Sequence, residues 1–111
     1  MNLTRMAAVI VAAMAASGIV RAADFDEAEA RAIMKESDCF KCHSMTREKD
    51  GPSYKKIAKE LKGKPDAEKV LYKHLTTNPT VKVDGKEEKH KSLDTKDEAA
   101  IKNVIHFILA Q

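Results

Sequence analysis

The sequence predicts a small all-α domain of about four helices. The chain is short, apolar residues recur at helical spacing in four segments, and only residues 80–83 alternate as a strand would. At 111 residues the chain has room for one domain. This length excludes a doubly wound nucleotide-binding fold, a TIM barrel and a two-domain enzyme. Because so small a core is marginally stable, we expect a metal, a disulfide or a covalent cofactor to reinforce it.

The first residues predict a cleavable signal peptide. Arg5 supplies a short positive region, residues 6–20 form an uncharged run, and small residues follow at Ala22 and Ala23. The run of 15 residues is shorter than the stretch of about 20 that spans a bilayer. We therefore expect residues 1–22 to be removed on export to a bacterial periplasm. Residues 23–111 then form a single domain without a permanent membrane anchor.

Four segments of that domain carry start and stop signals of helices. The predicted helices run from Asp26 to Ser37, from Ser53 as N-cap to Gly63 as stop, from near Asp66 to just before Asn78-Pro79, and from the capping box Thr95-x-x-Glu98 to the C-terminus. Two long non-helical stretches remain, at 44–52 and 77–94. A loop as long as the second is unusual in a compact domain unless it serves a function.

The segment Cys39-Phe40-Lys41-Cys42-His43 has the C-x-x-C-H pattern of covalent haem attachment. Two thiols at this spacing can each form a thioether with one porphyrin, and the adjacent histidine can supply an axial nitrogen to the iron. We therefore predict one haem c, attached through Cys39 and Cys42, with His43 as an iron ligand and the helices wrapped around it.

Three other uses of the two cysteines fit less well. A thioredoxin-like redox site needs a βαβ context, which this helical chain lacks. A zinc site needs further cysteine or histidine ligands in a second pair, and the chain has only two cysteines. A disulfide between Cys39 and Cys42 would close a small, strained ring.

Beyond the motif, the chain resembles the class I cytochromes c of the short bacterial type. The matching features are a helix ending in the C-x-x-C-H motif, Gly51-Pro52 eight to nine residues later, a Tyr54-x-x-Ile57-Ala58 helix, and an amphipathic C-terminal helix. The resemblance implies a carrier of single electrons rather than an enzyme, and redox proteins as partners. An enzyme such as a peroxidase is also disfavoured because the sequence has no evident distal acid–base pair.

The resemblance also implies two contacts inside the domain. The carbonyl of Pro52 would accept a hydrogen bond from the second ring nitrogen of His43, which fixes the orientation of the ring. The first and last helices would cross where a small residue, Ala28 or Ala32, meets Phe107.

The sequence departs from the family at the sixth iron ligand, which is usually a methionine on the loop before the last helix. Residues 23–111 contain only Met34 and Met45. Met34 precedes the motif, and Met45 follows His43 too closely to reach the opposite face of the haem. His90 lies 47 residues after His43, about where the family places its methionine. We therefore predict His90 as the sixth ligand.

Other occupants of the sixth position remain open. His74 lies on the third predicted helix, where a histidine is more often solvated or hydrogen-bonded than bound to a metal. Water, an empty site or a side chain such as Asn78 would also be possible. His106 lies off the apolar stripe of the last helix, where we expect it to be exposed.

Ligation by two histidines predicts a lower potential than histidine–methionine ligation, because a methionine ligand raises the potential of haem iron. The alternative function is a haem protein that binds CO, NO or O₂. This alternative arises because residues 82–91 contain four lysines and a single apolar residue, Val83. So polar a loop has few contacts, and if it opens, His90 leaves the iron.

Charge is distributed unevenly along the domain. Residues 23–111 carry 18 basic and 17 acidic side chains, a balance that does not favour nucleic-acid binding. Residues 41–91, however, carry 14 basic and eight acidic side chains and lie between two acidic segments. This basic middle predicts either a solvated lysine surface or, at the haem edge, a docking face for an acidic redox partner.

Overall fold

The structure, a computed structural model, describes residues 24–111, which form five helices and one β-hairpin. The elements are α1 (Glu27–Glu36), α2 (Cys39–Cys42), α3 (Tyr54–Leu61), α4 (Ala67–Thr76), β1 (Thr80–Val83), β2 (Lys86–Lys89) and α5 (Glu98–Leu109). The predicted all-α class is confirmed, with the hairpin as an addition. The predicted signal peptide lies outside the described residues. No helix in the described range has the length and apolar character needed to span a bilayer.

Helices α1 and α5 pack against each other and form the centre of the core. Ala30 of α1 and Phe107 of α5 are both buried there. The expected crossing at Ala28 or Ala32 is wrong, because both residues are exposed. Each helical residue turns about 100°, so positions two residues from Ala30 point away from the face that Ala30 occupies.

Helices α3 and α4 complete the core by packing on α5. Tyr54 of α3 and Leu71 and Leu75 of α4 are buried in the shared cluster. The predicted N-cap of α3 is confirmed, because the Ser53 hydroxyl accepts a hydrogen bond from the Lys56 N–H at 3.1 Å.

The start of α5 differs from the predicted capping box. Asp97 is the N-cap, and its carboxylate accepts a hydrogen bond from the Ala99 N–H at 3.0 Å. Thr95 lies two residues earlier, and its hydroxyl accepts a hydrogen bond from the Asp97 N–H at 3.2 Å. Glu98 accepts a bond from the Tyr72 hydroxyl at 2.6 Å instead of returning to the helix start.

The long loop predicted at 77–94 contains a β-hairpin. Strands β1 and β2 pair antiparallel, with Thr80 opposite Lys89 and Val83 opposite Lys86. The turn residues Asp84 and Gly85 both have positive φ, at 50° and 76°, which is the conformation of a tight two-residue hairpin turn. The sequence does hint at a strand over residues 80–83, but it gives no sign of the partner, because every side chain of β2 is charged and exposed.

Candidate functional site

The two cysteines lie on the short helix α2, which follows directly after α1. Asp38 joins the two helices in the left-handed conformation, with φ at 61°. Cys39 and Cys42 are half-buried, and no disulfide joins them in the described part of the chain. Burial raises the pKa of the Cys39 thiol, whereas a reactive redox cysteine has a lowered pKa. Cys39 therefore suits stable thioether attachment better than thiol–disulfide exchange.

His43 follows α2, and its ring is held on two sides. Its Nδ1 atom donates a hydrogen bond to the Pro52 carbonyl at 2.6 Å, as the family resemblance implies. Gly51 lies against the ring so closely that a Cβ on this residue would be 2.6 Å from His43 Cε1. With Nδ1 donating, Nε2 carries the free electron pair, which is the state a metal-binding imidazole requires.

His90 faces His43 across the site. Their ring centroids are 6.1 Å apart, with an angle of 50° between the ring planes. A metal–imidazole bond of about 2.0 Å and a ring radius of about 1.1 Å would place the centroids of two imidazoles bound to one metal roughly 6.2 Å apart. The observed spacing therefore fits an iron atom between the two rings.

Two buried polar atoms on the His90 loop, His90 Nδ1 and Ser92 Oγ, have no hydrogen-bond partner among residues 24–111. Unpartnered buried polar atoms are costly, so a native structure rarely keeps them without a reason. The motif and the two neighbouring imidazoles together fit a haem held between His43 and His90.

The electrostatics of the site favour neutral imidazoles. Burial, followed by the charges of His74 and His43, lowers the pKa of His90 to about 4. Burial also lowers the pKa of His74, with a smaller contribution from His43. A neutral imidazole keeps the electron pair that binds a metal, so His90 is in its ligating form at neutral pH.

The backbone around His90 is fixed by hydrogen bonds on both sides. The His90 N–H donates to the Pro79 carbonyl at 2.8 Å, and the Asn78 side-chain amide donates to the His90 carbonyl at 2.9 Å. Three residues later, the Leu93 N–H donates to the Leu75 carbonyl at 3.0 Å. The hairpin itself is largely exposed, as the lysine content predicts, whereas main-chain hydrogen bonds hold the segment from His90 to Leu93 in place.

Four residues connect the His90 loop to the attachment helix, and we call them the distal clasp: Ser37, Asp38, Lys91 and Asp94. The buried Ser37 hydroxyl accepts a hydrogen bond from the Asp94 N–H at 2.9 Å. Lys91 Nζ lies 2.9 Å from a carboxylate oxygen of Asp38. This ion pair, together with Lys41, lowers the pKa of Asp38, and the same pair raises the pKa of Lys91. The clasp joins the neighbour of the predicted distal ligand to the residue before the first attachment cysteine.

The remaining candidates have other surroundings. His74 is half-buried and packs against His90, with ring centroids 4.1 Å apart, a contact the sequence analysis missed. The sequence did offer a signal for this contact, because His74 lies one turn after the buried Leu71 and therefore near the same face of α4. His106 forms a 2.7 Å contact with Glu68 rather than pointing freely into solvent, and Asn78 bonds the His90 backbone. Met34 is fully buried in the core, and Met45 packs against the core near its edge.

Comparisons with known proteins agree with this geometry. The sequence model of the cytochrome c family matches residues 27–111. Among solved structures, the crystal structure of the class 1 cytochrome MtoD from Sideroxydans lithotrophicus ES-1 is 45% identical and superposes with a TM-score of 0.75. That match covers 78% of this chain and 97% of the MtoD chain. A search of curated protein sequences returned no match.

Proposed function

The chain belongs to the cytochrome c family, and on that basis we propose that it is a low-potential electron carrier with a bis-histidine haem. Membership of the family implies a covalently attached haem c, with Cys39 and Cys42 in the C-x-x-C-H motif. It also implies electron transfer to and from redox partners rather than enzymatic turnover. The haem supplies the chemistry, because its iron alternates between the ferric and ferrous states.

The observation that carries the bis-histidine proposal is the 6.1 Å separation of the facing rings of His43 and His90. In our proposal, His43 binds the iron through Nε2 while its Nδ1 bond to the Pro52 carbonyl fixes the ring. His90 would supply the second nitrogen ligand. Because imidazole replaces a thioether at the sixth position, we propose a reduction potential below that of histidine–methionine relatives.

The anchored His90 segment favours electron transfer over the binding of small ligands. A binder of CO, NO or O₂ needs a sixth position that opens. Here the main chain on either side of His90 is hydrogen-bonded to Pro79 and Asn78, and the distal clasp ties the next residues to α2. A carrier gains from such rigidity, because a ligand set that stays fixed in both oxidation states leaves little to rearrange when the electron moves.

We propose that the protein acts in a periplasm after residues 1–22 are removed, leaving residues 23–111 as the working domain. The C-x-x-C-H motif and the short apolar run that precedes the domain support this proposal.

We further propose that redox partners dock at the haem edge through the basic middle of the chain. Lys41 lies between the two attachment cysteines, and its side chain is 75% exposed. An acidic partner would be attracted to this face before contact.

The test is an absorption spectrum of the ferrous holoprotein before and after addition of CO. We expect a low-spin spectrum that CO leaves unchanged, because two protein ligands occupy the iron. His90→Ala should retain the haem, since attachment depends on Cys39, Cys42 and His43, but its iron should become high-spin. His106→Ala is the matched control and should resemble the wild type, because His106 contacts Glu68 on the surface. An unchanged low-spin spectrum in His90→Ala would refute His90 ligation, and rapid CO binding to the wild type would favour the ligand-binding alternative.

A further inference from the structure

A second imidazole lies against the proposed distal ligand. The ring of His74, on α4, is 4.1 Å from the ring of His90 between centroids, with 53° between their planes. Both residues are half-buried. Such a distance means that the two rings are in direct contact, in a tilted arrangement.

We propose that His74 is a positioning residue that fixes the rotation of the His90 imidazole about its bond to the iron. This inference rests on the proposed ligation by His90. His74 acts through the ring it touches and is not itself assigned as an iron ligand.

The argument starts from the different support of the two facing rings. His43 has a hydrogen bond from Nδ1 to Pro52 and a close contact with Gly51, and together these determine its rotation. His90 has no equivalent side-chain anchor: its Nδ1 atom is buried without a hydrogen-bond partner among the described residues, and only the Lys91 backbone interacts weakly with the ring. The bonds to Pro79 and Asn78 hold only the main chain of His90, so the ring needs another support.

His74 can provide that support because its own position is fixed. It lies inside α4, between the buried Leu71 one turn earlier and the buried Leu75 next to it. The helix therefore determines where the His74 ring lies, and the contact passes this constraint to His90. The role needs a planar ring of the right size, and it does not need a hydrogen bond.

The consequence concerns the electronic structure of the iron. The orientation of an axial imidazole is one of the features of its surroundings by which a protein tunes a bound metal. The planes of His43 and His90 differ by 50°. If His74 sets one of these planes, then loss of its ring should alter the signals that depend on the angle between them.

The experiment compares low-spin ferric EPR spectra and reduction potentials of four holoproteins: wild type, His74→Ala, His74→Phe and His106→Ala. We expect His74→Ala to shift or broaden the g values and to change the potential, because the His90 ring can then rotate. His74→Phe keeps a planar ring and should stay close to the wild type. His106→Ala removes a histidine remote from the packed pair and should change neither signal.

The outcomes separate this inference from the ligation on which it rests. If His90→Ala becomes high-spin while His74→Ala retains the wild-type g values and potential, His90 ligation stands and the positioning role is refuted. Equal shifts in His74→Phe and His74→Ala would refute support by ring packing. A low-spin His90→Ala together with a high-spin His74→Ala would assign the iron ligand to His74 and overturn both proposals.

Discussion

At the scale of single residues, Gly51 decides whether the His43 ring can take its position. A Cβ at residue 51 would be 2.6 Å from His43 Cε1 and 2.9 Å from Nδ1, distances that force a displacement. The ring cannot move freely, because its Nδ1 is bonded to Pro52. The absence of a side chain at residue 51 is therefore a requirement of the site.

Gly51→Ala should lower the free energy of unfolding of the holoprotein by about 1–3 kcal/mol, the usual range for overpacking. Its absorption spectrum should also change, because the His43 ring must shift. Gly63→Ala is the control: residue 63 has positive φ, so alanine is strained there, but no atom lies within 4 Å of its Cβ position. We expect Gly63→Ala to have a lower free energy of unfolding and an unaltered absorption spectrum. Denaturant titration measures the first quantity, and the absorbance of the folded protein measures the second. A normal spectrum in Gly51→Ala would contradict the tight fit.

The ion pair of the distal clasp predicts a pH dependence. Hydrogen bonds from Lys91 and Lys41 lower the pKa of Asp38 below its ordinary value of 3.8. A carboxylate with a lowered pKa stabilises the fold above its ordinary pKa, and this contribution is lost as the pH falls through the lowered value. Asp38→Asn should therefore unfold at lower denaturant concentration than the wild type near neutral pH, and the difference should vanish in strong acid.

The measurement is a series of unfolding curves from neutral to acidic pH for both proteins. Comparing two proteins at each pH cancels the loss of other interactions in acid. Asp24→Asn, which neutralises an exposed carboxylate outside the clasp, is the matched control and should show no such pattern. A constant difference between wild type and Asp38→Asn well below pH 3.8 would exclude the titration of Asp38 as its cause.

The attachment motif follows from residue types and spacing, the contact of Pro52 with His43 was implied by the family resemblance, and His90 was selected as a candidate ligand because residues 23–111 lack a suitably placed methionine. The packing of His74 on His90 cannot be predicted from the sequence. Those residues are 16 positions apart, and their contact depends on how α4 meets the hairpin. The clasp between Ser37 and Asp94 is hidden in the same way, because a serine carries no sign of which distant backbone amide it will bind.

At the scale of elements, the start of α5 is determined by Asp97. We expect Asp97→Ala to lower the free energy of unfolding by about 1 kcal/mol, the typical value of an N-cap. Asp97→Asn should retain most of the stability, because asparagine also caps helices well. Thr95→Ala should cost less than Asp97→Ala, since its hydroxyl bonds the residue before the helix. Thermal unfolding of the three variants checks this order, and a larger loss from Thr95→Ala would restore the capping box.

The elements differ in how well the sequence predicts them. The helices at 27–36, 54–61, 67–76 and 98–109 follow from the 3.6-residue recurrence of apolar side chains, because one face of each is buried in the core. The hairpin escapes prediction because β2 reads Lys-Glu-Glu-Lys and buries nothing. The dipeptide Asp84-Gly85 was the usable signal, since it is a preferred sequence for tight hairpin turns.

At the scale of the whole molecule, the uneven distribution of charge should direct association. We expect oxidation of the ferrous protein by the ferricyanide anion to slow as salt is added, because added ions screen attraction toward the basic middle. Lys41→Gln should reduce the rate at low salt. Lys102→Gln removes the same charge from α5 and should have a smaller effect.

Stopped-flow absorbance over a series of salt concentrations measures these rates. Since both variants lower the net charge equally, a difference between them reports the position of the charge. Equal rates for the two variants would mean that the anion responds only to net charge and that the attachment helix is not the site of approach.

The position of His90 does not depend on the length of the β-hairpin. The strand ends next to His90 are fixed, because the Pro79 carbonyl accepts a hydrogen bond from the His90 N–H and Thr80 pairs with Lys89. The turn at Asp84 and Gly85 is exposed, with open space around the Gly85 Cβ position. Residues added in pairs at the turn would lengthen both strands and leave the pairing of Thr80 with Lys89 unchanged. The turn is thus a natural insertion point, where a tether to an electrode or a fluorescent label could be introduced without disturbing the iron.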